Sequence, residues 1–296
     1  METYQILILF FGILVLFALL FCNYSTVEPY VGKTHKSNLT PSQERRLVEL
    51  MKPVDVEGII SFERLGVDGD GGYVVPLGHN YSNHICLGVG ADVTYENAIL
   101  NRIKGHVVCF DHTVSKLPDH ADPRIKWVKK GVGEKENAEL TTLPRIMKKF
   151  NSTDGDMSLK MDIEGWEFPV LKTMSRDDLN KFDLIVTELH CMGNNGDKGA
   201  GDSGPIKDST SKLEALEKLC DTHYLVHIHP TPHCLPLELS DGTLIPYVAE
   251  FTFVKKAGRL AKKTERTFPT ELDESLLDPT LAKMRKECLR YINYLK

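Results

Sequence analysis

The sequence predicts an α/β fold built on a mostly parallel sheet with an antiparallel edge, preceded by an apolar N-terminal segment. Two observations predict the sheet. Short apolar runs alternate with helix-compatible segments, the pattern of right-handed βαβ units. The last two runs have only prolines between them (Pro230, Pro232, Pro236, Pro246), so they pair across a loop and not a helix. A third observation sets the N-terminus apart: Ile6 to Cys22 is apolar throughout and carries no charge.

That first run would extend about 25 Å as a helix, the short end of a bilayer span. A core helix would show a polar face, and this segment has none. A cleaved signal peptide is the alternative. Glu2, the lack of Lys or Arg before the run and the lack of a small-residue cleavage site favour an uncleaved anchor. The basic residues Lys33, Lys36, Arg45 and Arg46 follow the span, which by flanking charge alone places the body in the cytosol. Sequons at Asn23, Asn38, Asn80 and Asn151 argue for the lumen, because only there are they used. The expectation is a single-pass type II membrane protein facing the Golgi or ER lumen, with secretion as the alternative.

The organisation that follows is an anchor over 1–23, a polar stem over 24–40 and one domain over 41–296, with its core at about 60–255. A helix starts at Thr40-Pro41-Ser42 and stops before Pro53. Phe62 to Pro76 reads as two extended pieces around a glycine-rich turn. Strands are expected at His84–Leu87, His106–Phe110, Ile125–Val128, Met157–Met161, Leu184–Thr187, Tyr224–Ile228 and Val248–Val254. Helices are expected at Thr94–Lys104, Asn137–Phe150, Glu167–Met174 and Ser211–Cys220, with a closing amphipathic helix over Leu276–Lys296. The stretch 193–209 reads as a glycine- and aspartate-rich loop.

Composition narrows the function. A net charge of -5 and short, interrupted basic patches give no reason to expect a nucleic-acid partner. Cys86 and Cys109 sit in strand-like runs as small buried hydrophobes. Cys191, Cys220, Cys234 and Cys288 are placed to pair in an oxidising compartment, in combinations the sequence leaves open.

The chemistry is carried by strand ends. Leu87-Gly88-Val-Gly90-Ala-Asp92 closes the first strand and precedes a helix, so the backbone can approach a ligand at the helix's positive end. The next strand ends in Asp111, where an acid accepts hydrogen bonds from both hydroxyls of a ribose. Strand, glycine turn, helix, strand and acid together imply a nucleoside-containing cofactor. No third glycine completes a dinucleotide fingerprint, which weakens a nicotinamide oxidoreductase reading. The fourth strand runs into Asp162-Ile-Glu164-Gly165, the fifth into Glu188-Leu-His190 and the sixth into His227-Ile-His229. Acids and imidazoles from three strands therefore meet at one sheet edge, where such folds bind ligands.

Leu159–Leu171, LKMDIEGWEFPVL, resembles the K-x-D-I-E-G-x-E-x-x-V-L signature of FkbM-type methyltransferases. The resemblance extends to Arg64-Leu-Gly, Asp70-Gly-Gly-Tyr-Val, Leu87–Asp92, Phe110-Asp111, Val186–His190 and Ala249–Phe253, and is strongest to a membrane-anchored methyltransferase-like branch. It implies a Rossmann-like seven-stranded methyltransferase sheet whose last strand is antiparallel. It also implies that Gly88, Gly90 and Asp92 line the methionine part of S-adenosylmethionine, that Asp111 holds the ribose, and that Asp162 and Glu164 face the reacting centre. One departure is that the acid usual just before the glycine turn is absent, His84 to Leu87 standing there.

The expected reaction is O-methylation of a hydroxyl on a glycan or other small-molecule lumenal acceptor. His190 or His229 is the expected base, with a carboxylate raised by burial as the alternative. A divalent cation, Mg or Mn, held by Asp162, Glu164 and His190 would instead acidify the hydroxyl. The rival readings are a Golgi-type glycosyltransferase, using Asp68-Gly-Asp70 or Asp162-Ile-Glu164 as its acidic motif, and a catalytically inactive relative that only binds.

Overall fold

The computed structural model describes residues 32–150, 156–193, 204–231, 234–275 and 277–293. A seven-stranded sheet forms the centre: β1 (His84–Leu87), β2 (Val107–Phe110), β3 (Ile125–Val128), β4 (Met157–Met161), β5 (Phe182–Leu189), β6 (His223–Pro230) and β7 (Ala249–Lys255). Its spatial order is β3-β2-β1-β4-β5-β7-β6. All neighbours are parallel except β7, which runs antiparallel to both β5 and β6. The predicted sheet with its antiparallel edge is therefore present.

Every residue of β1, β2, β4 and β7 is buried, which is why those strands read as continuous apolar runs. β3 alternates buried and open positions, as an edge strand does. The two faces separate along β5 with period two. Ile185 and Leu189 join the larger core, while Leu184 and Val186 join the cluster that holds Leu65, Tyr73, Val75 and Tyr95.

The helices used below are α1 (Pro41–Leu50), α2 (Thr94–Ile99), α3 (Leu143–Met147), α4 (Glu167–Thr173), α5 (Ser209–Thr222) and α6 (Pro279–Cys288). Of these, α1 and α4 pack on α5, whereas α2 lies on the other face beside the hairpin Phe62–Leu65/Tyr73–Pro76. Thr40 caps α1 with a capping box to Gln43. At the far edge, β6 is covered by the ladder Val54–Val56/Ala261–Lys263.

Some expectations change. The helix expected over Asn137–Phe150 shrinks to α3. The Asn137 side chain accepts hydrogen bonds from the Glu139 and Leu140 amides, which makes a turn, and Pro144 starts the helix late. The closing helix is broken after Cys288 and resumes as Arg290–Asn293, with the Tyr291 hydroxyl donating to the Met51 carbonyl. The end of the expected stem packs on the domain: His35–Lys36 pairs with Leu237–Glu238, and Leu39 is buried. Cys86, Cys109, Cys220, Cys234 and Cys288 carry free thiols.

Among the described residues no helix is long and apolar enough to cross a membrane. The apolar run Ile6–Cys22, the sequons at Asn23 and Asn151, and most of the 193–209 loop lie outside them.

Candidate active site

The strand order reverses between β1 and β4, and a crevice opens at their carboxyl ends. A cavity of about 920 Å³ lies there. A larger groove of about 1110 Å³, lined by Ile59, Phe62, Leu260 and Arg266 among others, takes only His227 from the strand-end residues singled out in the sequence. The smaller cavity is where the motifs converge.

One end of that cavity is the glycine turn. Gly88 has φ +84 and Gly90 φ +59, a region that glycine enters without steric cost. A Cβ on Gly88 would lie 1.7 Å from the Asp162 carbonyl oxygen, so glycine there is also a packing requirement. Asp111, at the end of β2, fixes the turn. Its Oδ2 accepts from the Val89 and Gly90 amides at 2.9 and 3.1 Å, and its Oδ1 from the Thr113 amide at 2.7 Å and hydroxyl at 2.6 Å. Burial works to raise its pKa, but these donors outweigh burial and hold the carboxyl below its ordinary value. Asp92 lines the cavity while accepting from the Thr94 amide and hydroxyl at the start of α2. Below the turn, buried Lys160 ion-pairs with buried Glu96 at 3.2 Å and donates to the Gly88 carbonyl.

The other end is acidic. Asp162 and Glu164 both line the cavity, as does Glu188 from β5. The Tyr73 hydroxyl donates to Asp162 Oδ2 at 3.2 Å, joining the D-G-G-Y turn to the D-I-E-G turn. Glu164 is 63% exposed and sits at φ +54. Glu167 is fully buried and accepts from the Ile163 and Gly165 amides, so it braces the D-I-E-G turn. It also accepts from His190 Nδ1 at 3.2 Å. His190 Nε2 lies 3.4 Å from carboxylate oxygens of both Glu164 and Glu188.

These surroundings decide the protonation states. Burial works to lower the pKa of His190, but Glu167 first and then Glu188 and Asp162 raise it well above the ordinary value. The carboxylates around it therefore favour the protonated ring. Burial, then the Asp162 charge, pushes the Glu188 carboxyl well up. His229 lies apart from the residues lining the cavity. It is 3% exposed, its Nδ1 is 2.9 Å from Glu250 Oε2, and burial lowers its pKa to about 4. Of the two imidazoles expected as base, His190 stands among the cavity's carboxylates, whereas His229 is sealed in the sheet beside Glu250.

Residues 54–237 match the family described as Methyltransferase FkbM domain. The chain belongs to this family. No curated protein sequence matches it. Similar solved structures include a pre-rRNA processing fibrillarin from Methanococcus jannaschii, 11% identical, covering 73% of this chain and 76% of that one at a TM-score of 0.35. A candidate S-adenosylmethionine-dependent methyltransferase from Listeria monocytogenes is 8% identical and covers 60% of this chain and 92% of that one at 0.33.

The FkbM family's cofactor is S-adenosylmethionine, and the cavity suits it. It has the volume of a cofactor site, a backbone turn open at Gly90, where a Cβ would meet nothing within 4 Å, and a carboxylate beside that turn. Asp111 already accepts four hydrogen bonds, so a ribose hydroxyl would compete with the Thr113 hydroxyl for Oδ1.

Glu167, Tyr73 and Thr231 have no role in the site expected from sequence, and Glu188 is placed at the sheet edge without a role of its own. Glu188 was readable, since it stands two residues before His190 on a strand and so shares its face. The Thr231 hydroxyl, which donates to Glu188 Oε1 at 2.5 Å, comes from beyond β6 and had no local signal.

Proposed function

We propose that the protein is an O-methyltransferase that acts on a hydroxyl of a glycan or other small polyhydroxyl acceptor, facing the secretory lumen from an N-terminal anchor. The observation that carries the reading is the cavity. The glycine turn and Asp111 line it together with the adjoining acidic group Asp162, Glu164 and Glu188. Carboxylates are acceptor-only groups, so an acidic end selects a ligand rich in hydroxyl donors.

S-adenosylmethionine supplies a methyl carbon made electrophilic by its sulfonium. The chain supplies position. Asp111 and the Gly88–Gly90 turn fix the nucleoside end, and Asp162 and Glu164 orient the acceptor oxygen for in-line attack. A carboxylate takes the hydroxyl proton, and Glu164 at the open rim is the group that can pass it on to water. His190 Nε2, 3.4 Å from both, keeps Glu164 and Glu188 in place.

Anchoring is proposed from the Ile6–Cys22 run and the sequons. Asn38 and Asn80 are both exposed, as glycan attachment requires. A gel shift on glycosidase treatment of the membrane-bound protein tests this, and its absence would return the domain to the cytosol.

The main test is calorimetric titration with S-adenosylmethionine and its demethylated product, followed by transfer of isotope-labelled methyl to a panel of glycans. Saturable binding, with label on glycan hydroxyls, supports the reading. Binding without transfer to any acceptor favours the inactive relative. Label on nitrogen or carboxyl groups overturns O-methylation.

A further inference from the structure

We infer that Asp162, Glu188 and His190 form a binding site for one hard divalent cation, Mn²⁺ or Mg²⁺, at the acceptor end of the cavity. Each offers a ligand atom, and the three atoms lie within 4.8 Å of one another. The fold dictates this meeting. β4 and β5 are parallel with Met161 opposite Thr187, so Asp162 and Glu188 are the next residues in register. His190 follows two positions after Glu188 on the same face.

The second observation lies outside the cluster. Each of the three side chains is held from behind by a different element. The Tyr73 hydroxyl donates to Asp162 Oδ2, the Thr231 hydroxyl donates to Glu188 Oε1, and buried Glu167 accepts from His190 Nδ1. Each side chain still offers one ligand atom to the cluster, and Glu188 Oε2 and His190 Nε2 stand 3.4 Å apart. A carboxylate on the far nitrogen of an imidazole is the outer-shell device that aims and strengthens a metal-binding histidine. Glu167 is itself fixed by the Ile163 and Gly165 amides, so the aim is rigid.

Charge points the same way. Asp162, Glu188 and buried Glu250 stand close to one another, and the last two lose most of their hydration. Crowded, desolvated carboxylates are costly without a cation between them. Two oxygens and one imidazole suit Mn²⁺ best, with Mg²⁺ the all-oxygen competitor, and the remaining positions are open to water and an acceptor hydroxyl. Binding displaces the proton from His190 Nε2.

The chemical use of the site rests on the methyl-transfer reading. A cation there lowers the pKa of an acceptor hydroxyl that reaches it. The O–C bond forms as the C–S bond breaks, the sulfonium becomes a neutral thioether, and the hydroxyl proton leaves through Glu164 to water. This ligand set differs from the Asp162, Glu164 and His190 expected from sequence. Glu188 replaces Glu164, which is mostly exposed and lies outside the cluster.

The test is titration of the full chain with Mn²⁺ alone, read by electron paramagnetic resonance and calorimetry, and repeated with Mg²⁺. One saturable site is expected. Glu188→Gln is expected to weaken it roughly tenfold or more, and Glu167→Gln, which keeps every ligand, by about tenfold to a hundredfold. Glu164→Gln, which removes a neighbouring charge and no ligand, is expected to weaken Mn²⁺ clearly less than Glu188→Gln, and circular dichroism melts confirm that each variant folds. No saturable Mn²⁺ or Mg²⁺ binding by a chain that binds S-adenosylmethionine overturns the site. So does Glu188→Gln binding as wild type, or Glu164→Gln losing as much as Glu188→Gln. Cation binding without S-adenosylmethionine binding would instead count against the cofactor reading and leave the site standing.

Discussion

Gly88 and Asp162 touch through their backbones: a Cβ added to Gly88 would fall 1.7 Å from the Asp162 carbonyl oxygen. The glycine turn of β1 and the acidic turn of β4 are therefore a single packed unit, and neither end of the cavity can move alone. Gly88→Ala is expected to cost more than the roughly 1–2 kcal/mol of its left-handed backbone, because β4 must also shift. Urea unfolding measures the loss, and S-adenosylmethionine affinity should fall with it. A variant as stable as wild type would mean the two strand ends are not so tightly joined.

Asp111 is expected to act through its charge as well as its shape. Asp111→Asn keeps the size but loses part of the acceptor capacity that holds the Val89, Gly90 and Thr113 donors. Hydrogen bonds to a charged group contribute about 1.5–3 kcal/mol, so cofactor affinity should drop by about tenfold to a hundredfold. Thr113→Ala should do the reverse or nothing, since it frees Oδ1 for a ribose hydroxyl. Calorimetry on both variants decides it; a strong loss in Thr113→Ala would show the hydroxyl to be part of the nucleoside site.

The sheet was legible because most of its strands are buried on both faces. β1, β3 and β4 fall on their expected bounds, and β5 and β6 merely extend further. The acids at strand ends were legible for a related reason, since a charge ending an apolar run has little structural purpose there. What stayed hidden depended on pairing across long sequence distances. Glu250 meets both Glu188 and His229 only because β7 inserts antiparallel between β5 and β6. Tyr73 reaches Asp162 only because the hairpin folds over the sheet. The protonation of His190 was likewise unreadable, because it follows from Glu167 standing behind the ring.

The buried pair Lys160–Glu96 gives a third prediction. Both side chains are almost fully buried, and the Cys86 thiol also donates to Glu96. Lys160→Met leaves Glu96 charged with no cation beside it, which typically costs about 3–5 kcal/mol. Adding Glu96→Gln should restore much of that stability, since the double variant buries no charge. Urea unfolding of the two singles and the double closes the cycle. A single variant within about 1 kcal/mol of wild type would show the pair to be dispensable.

Acid should destabilise the protein through its buried histidines. His84 and His223 are both sealed in the sheet, with exposures of 0% and 1%. Burial, helped by the Lys160 charge, lowers His84 to about 3 despite its contact with Ser158. Burial likewise lowers His223 to about 4, although the Phe182 carbonyl partly opposes it. Between those values and the ordinary 6.5, the unfolded chain binds protons that the folded chain refuses. Stability therefore rises with pH across that window, by about 1.4 kcal/mol per unit for each histidine, and levels off above it. Lowering the pH from 6.5 to 4 should steadily reduce the urea midpoint. His84→Asn keeps a hydrogen-bonding partner for Ser158 but cannot be protonated, so it should flatten the slope by one histidine's share. An unchanged slope in that variant would show that His84 keeps its proton when folded.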